Sequence, residues 1–229
     1  MSDPLPPSYA VPSPLSDRSG VTDAVRAQIL ATEHWSLLAT RSMSWNEVFS
    51  RAGMFITVVS ATVVALALVA QATAFGPGFR AFALLALPVV LLVGLLTQLR
   101  LSQSSTDEVL FVVGMNRLRH AYLELAPELE PYFVTRSHDD EAGILQTYGL
   151  NARVSAGGFL SGTHTLVAAI NIMVLGIFAV LVAQTLGAED QVALVAGVSA
   201  ALAAAALLAT VAYRSTTSIR RSFQARFPR

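Results

Sequence analysis

The densest group of titratable side chains in this 229-residue chain is Ser137-His138-Asp139-Asp140-Glu141. Three carboxylates beside an imidazole have the donor types of a divalent-cation site. Oxygen ligands suit Mg²⁺ or Ca²⁺, and a histidine with carboxylates suits Zn²⁺. The spacing fits neither an EF-hand loop nor an HExxH helix. The same residues also have a structural use. Ser137 with Asp140 reads as a capping box, and acids in a first turn complement the helix dipole. On a helix, neighbours Asp139 and Asp140 point about 100° apart, so they do not form a paired catalytic dyad. Helix capping is the expected role of this segment. A metal site at His138, Asp139 and Asp140, or proton sensing that includes Glu141, is the alternative.

A second group lies in "GGFLSGTHTLVAAIN", which opens a long apolar run. His164 and Asn171 are seven residues apart, so on a helix they share a face. Counted from Phe159 at about 1.5 Å per residue, Asn171 falls near the middle of a bilayer and His164 near its edge. A buried amide there bonds another helix or lines a water-filled path. Thr57 and Ser60 of an earlier apolar run are candidates for the same pore-lining or interhelical role. Hydroxyls can also satisfy themselves on their own helix backbone. Gln71, Gln98 and Gln184 sit near run ends, where water is expected to reach them. Gly158 and Gly162 form a GxxxG spacing that lets two helix backbones approach closely.

The elements that must position these groups are apolar. Hydrophobic residues make up 54% of the chain and charged residues only 13%, about half the charged share of a soluble domain. Four runs exceed the roughly 20 residues needed to cross a hydrocarbon core: Ala52–Ala74, Arg80–Leu101, Phe159–Leu186 and Gln191–Tyr213. A soluble chain of this size could not cover four such helices on all sides. The expected fold is all-α and integral to the membrane, with four transmembrane helices as two hairpins (residues 52–101 and 159–213). Pro88 is a candidate kink that would free the Leu84 carbonyl. The spans hold no Asp, Glu or Lys, so the usual carboxylate of a proton- or sodium-coupled carrier is missing.

Every basic residue is Arg. With four spans, fourteen of them fall on the side of the termini and central loop and only Arg80 on the other. The positive-inside rule then sets both termini in the cytoplasm, in a bacterial inner membrane. Residues 1–20 are polar, hold five prolines and lack the apolar core of a secretory signal; they are expected to form a disordered tail. Residues 21–51 read as a cytoplasmic helix leading into the first span, with Trp45 suited to the headgroup belt. The loop 102–158 starts as a helical extension with an a/d seam at Phe111, Met115, Leu118, Tyr122 and Leu125, ended by Pro127. Packing of that seam on the 21–51 helix of the same chain competes with assembly of several subunits around a stalk. The short outer turn is expected at Phe75–Phe79, from its glycines and Pro77.

The tail 214–229 carries five Arg and no acid, whereas the loop Ser102–Gly158 has four Arg against eight acids. Arg220, Arg221 and Arg226 interleave with Phe223 and Phe227 as in an interfacial helix, so anionic lipid is the expected partner of the tail. Docking on the acidic loop is the alternative. Nucleic acid is not expected, with one short basic patch and no binding motif. No nucleophile, base and orienting group can be assembled, so neither an enzyme nor a cofactor is expected.

The segment from Glu33 to Ser42 ("EHWSLLATRS") together with His138-Asp139-Asp140 resembles a group of actinobacterial four-span membrane proteins, from about Val21 onward. The resemblance implies the fold and brings no activity with it. The sequence by itself leads to a homo-oligomeric ion channel or pore, on its small-residue faces, tiny outer loops and polar midplane site. A non-conducting scaffold recruiting a cytoplasmic or membrane partner comes next, and a small-molecule transporter third.

Overall fold

A computed structural model describes residues 20–149, 162–222 and 224–228. The described residues form helices and no strand: α1 (Asp23–Thr73), α2 (Pro77–Leu125), a 3₁₀ segment Pro127–Tyr132, α3 (Glu141–Gly149), α4 (Thr163–Thr185) and α5 (Asp190–Ser222). Four of them, α1, α2, α4 and α5, are long and apolar enough to cross a membrane. Gly158, Arg153 and most of the 1–20 tail lie outside the described residues, as do the side chains of Arg220 and Arg221.

The long helices begin and end for local reasons. Thr22 caps α1 by accepting a hydrogen bond from Val25 N at 3.4 Å. Pro77 opens α2 at its first turn, where its missing N–H costs nothing. The expected turn is therefore shorter than Phe75–Phe79. It is closed by Ala74 (φ 47°) and Phe75 (φ 59°) in the left-handed region, where L-residues with a side chain are strained. The glycines first assigned to the turn do not take that conformation. α2 runs unbroken past Pro88 for 49 residues, roughly 73 Å.

α1 and α2 pack along their whole length through a sustained seam. On α1 the inward positions are Leu30, His34, Leu37, Arg41, Ser44, Val48, Ala52 and Phe55; on α2 they include Leu87, Val90, Gly94, Thr97, Leu101, Ser104, Glu108, Val112 and Met115. Steps of three and four residues are the a/d pattern of a coiled coil. The pairs run antiparallel: Phe55 lies by Gly94, Ser44 by Ser104, Arg41 by Glu108 and Leu37 by Gly114. Met115 and Leu118 of the expected seam are buried, so the seam serves packing within this chain.

α4 lies against α2, and α5 has its main contact with α4. The apolar core is shared by α1, α2 and α4: Val48, Ala52, Phe55, Leu87, Val90, Leu101, Val167 and Val174. α4 and α5 meet backbone to backbone at Gly176 and Gly197, where a Cβ on Gly197 would fall 2.8 Å from the Gly176 carbonyl oxygen. Small residues at such crossings let helices approach closely.

Candidate functional site

Two polar constellations stand out. The first is inside the apolar region, between α2 and α4. Gln98 and His164 bring their side chains together, with the Gln98 amide nitrogen 2.7 Å from His164 Nε2. Gln98 is buried, contrary to the expectation that water reaches it. The reason is that α4 begins at Thr163, which sets His164 in its first turn, level with the end of the α2 apolar run. Donation from the amide to Nε2 leaves the imidazole proton on Nδ1. Among the described residues, His164 Nδ1 and Gln98 Oε1 have no hydrogen-bond partner.

Seven residues on, Asn171 sets its amide against Gly94 of α2, where the Phe55 ring of α1 also approaches; a Cβ at Gly94 would overlap Asn171 Oδ1. Glycine is required there because nothing larger leaves room for the amide. Asn171 Oδ1 is buried without a hydrogen-bond partner. Thr97, one residue from Gln98, returns its hydroxyl to Val93 O at 2.8 Å. Thr57 and Ser60 are exposed on α1, and Thr57 bonds back to Gly53 O at 3.0 Å. The structure therefore brings His164 and Asn171 to one face, against α2, and leaves Thr57 and Ser60 elsewhere.

The second constellation starts at the ends of the apolar runs and continues beyond them. Glu108, 5% exposed, accepts from Arg41 Nε at 2.7 Å and from Trp45 Nε1 at 3.1 Å. The indole proton of Trp45 thus has a partner within the chain. Glu47 accepts from Arg100 at 2.6 and 3.1 Å and from Arg51 at 2.9 Å. Hydrogen bonds from Arg100 and then Arg51 hold its carboxyl down at about 2. Farther out, His34 stacks on Tyr122 at 6.1 Å; burial first, and then Arg119, lower its pKa.

Asn116, fully buried, ties three segments together. Its amide nitrogen donates to His138 O at 2.8 Å, and its oxygen accepts from Arg119 at 2.8 Å and Thr147 at 3.0 Å. Sequence reasoning missed it. Its one signal was an uncharged amide set among the seam residues Met115 and Leu118.

Within His138–Glu141 the four side chains divide. Asp140 caps α3: its Oδ1 accepts from Gly143 N at 2.7 Å. The cap residue is thus Asp140, and not Ser137 as the capping-box spacing predicts, because the helix starts three residues later, at Glu141. Asp139 points the other way and is 0% exposed. It accepts from Arg117 Nε at 2.7 Å, Arg226 N at 2.9 Å and Phe227 N at 2.7 Å. Burial alone would raise its pKa; the hydrogen bonds from Arg226, Arg117 and Phe227 outweigh it and bring the pKa below the ordinary value. Among the described residues no three His, Asp or Glu side chains converge on a common point as metal ligands would. Phe227 stacks on His120 at 4.2 Å. Of the tail arginines, Arg226 is held through its main chain, on the loop.

Fold and sites together define a helical membrane protein with four candidate spans and a packed polar region at one end. Compared with protein-family models, with curated proteins and with solved structures, the chain matches none.

Proposed function

We propose that this protein is a non-conducting homo-oligomeric scaffold of a bacterial inner membrane. Two transmembrane hairpins anchor it, and the paired extensions of α1 and α2 stand in the cytoplasm with both termini. One observation carries the reading. On α1, ahead of the span, the face turned away from α2 exposes Val25, Ile29, Trp35 and Met43, the last two at 73% and 72%. That face also presents Gln28, Thr32, Ser36 and Ala39 and carries no charge. Trp35 lies about 25 Å along the helix from Ala52, beyond the reach of the lipid core. Large apolar residues exposed to water in this way mark an interface, and aromatic residues and Met are enriched at interface cores while charges are depleted. An uncharged face can meet its own copy across a two-fold axis without opposing like charges.

The placement of the polar groups supports the non-conducting reading over a pore or a transporter. Asn171 and His164, the groups that would line a conduit, are packed into the α2–α4 contact inside one protomer, Asn171 on Gly94 and His164 on Gln98. The Arg41–Glu108 and Arg100–Glu47 ion pairs tie the extensions of α1 and α2 to each other.

The test is the mass of the protein in nanodiscs, with planar-bilayer recording on the same preparation. The expected result is an oligomer without unitary currents, reduced to a monomer by Trp35→Glu with Met43→Glu. Unchanged mass in that variant removes the face as an interface. Unitary currents abolished by Asn171→Leu, with assembly intact, overturn the reading in favour of a channel.

A further inference from the structure

A polar contact outside the spans joins the loop ahead of α3 to the C-terminal segment, and it is independent of the scaffold reading. The segment Gln224–Pro228 lies on the loop and on α2. Asp139 N donates to Phe227 O at 3.3 Å, while the Asp139 carboxylate takes the main-chain N–H groups of Arg226 and Phe227. The Phe227 ring covers His120, which lies edge-on to His138 at 6.4 Å and 3.6 Å from the Glu124 carboxylate. A fully buried carboxylate requires such donors, because an uncompensated buried charge is costly. With the segment gone, Arg117 is the one remaining donor among those described.

The cradle holds the tail by backbone and ring. It takes the main-chain N–H of Arg226, whose guanidinium instead lies 5.8 Å over the Phe227 ring. The charges that distinguish residues 214–229, five Arg and no acid, are therefore not what the Asp139 carboxylate recognises. Anionic headgroups recognise those charges, and interfacial binding of such a segment also wants Phe227, which the cradle holds stacked on His120. One ring cannot be in both places.

We infer that the C-terminal segment is a two-position strap, seated on Asp139 and His120 in one state and on the anionic membrane surface in the other. Anionic lipid draws it off the cradle and uncovers Asp139, His120 and Arg117.

The chain has no cysteine, so Pro228→Cys with Leu145→Cys places two spin labels, one on the strap and one on α3. Distances are read by pulsed electron resonance on the full chain in nanodiscs. In zwitterionic lipid a short-distance population is expected. Asp139→Asn should abolish it, and Phe227→Ala, which leaves the cradle untouched, should also deplete it. Anionic lipid should convert the short population to a long one. Arg226→Gln with Arg220→Gln and Arg221→Gln should suppress that conversion while keeping the short population in zwitterionic lipid. A short population that survives both Asp139→Asn and Phe227→Ala overturns the cradle. A short population indifferent to anionic lipid overturns the exchange.

Discussion

Asn171 and Gly94 fit together as bump and hollow: the amide oxygen of one occupies the space a side chain would need on the other. The contact fixes the distance of α4 from α2 in the apolar region. Gly94→Ala should overpack it and lower stability by about 1–3 kcal/mol. Asn171→Ala should restore most of that loss in the double variant, since residues in contact are not additive. Reversible unfolding in mixed detergent measures all four corners of the cycle. A double variant as unstable as the sum of the singles would show that the two do not meet.

Glu108 is a buried carboxylate at the level where the helices leave the apolar region, and its charge is answered by Arg41. Arg41→Ala should destabilise the helix pair strongly, though by less than the ~3–5 kcal/mol of a fully desolvated pair, because Arg41 is partly exposed. Glu108→Gln keeps an acceptor for Trp45 and should cost less. Chemical denaturation followed by tryptophan emission compares the two; equal losses would refute the assignment.

Burial, and then Arg119, lower the pKa of His34 from its ordinary value of 6.5. A base whose folded pKa is lowered binds its proton less well when folded. Its neutral form therefore supports the fold above pH 6.5, and that support is lost as the pH falls below 6.5. The distal part of the α1–α2 pair should loosen on acidification, seen as faster amide exchange around residues 30–37 and 115–122. In His34→Phe that pH dependence should vanish.

Asp139 loses its contribution in the same direction, on acidification, but in a lower pH range. Its folded pKa lies below the ordinary 3.8, so the bonds it makes contribute fully above pH 3.8 and are lost as pH falls through the folded value. Exchange protection of the Phe227 amide should persist down to that range in the wild type and be missing at neutral pH in Asp139→Asn.

Much of this architecture was legible. A span needs about twenty apolar residues in a row, and no other pattern imitates that. The seam between α1 and α2 was half legible. Met115 and Leu118 announce it, whereas Arg41, Ser44, Ser104 and Glu108 occupy the same register with polar types and read as solvated surface. Gly94 and Gly197 were each visible as a lone glycine in an apolar run, and Gly176 as a mid-run glycine; each partner lies a helix away, where spacing gives no guide. The GxxxG reading fared less well, since Gly162 sits ahead of α4 with extended backbone and Gly158 lies outside the described residues. Docking of the tail on the acidic loop was legible as an alternative from their opposite charges, but not the bond to Asp139, because its donors are main-chain N–H groups, which nearly every residue possesses.

The absence of a break in α2 at Pro88 has a mechanical consequence. The helix that crosses the apolar region is the same rod that carries Asn116 and Arg117 beyond it, and α1 is locked alongside. A span answers a change in bilayer thickness by tilting. About 24 residues lie beyond Leu101, an arm of roughly 36 Å, so a tilt of about 10° sweeps the far end through about 6 Å. Bilayer thickness is thereby converted into displacement at the tip, as a lever converts a small rotation at its pivot.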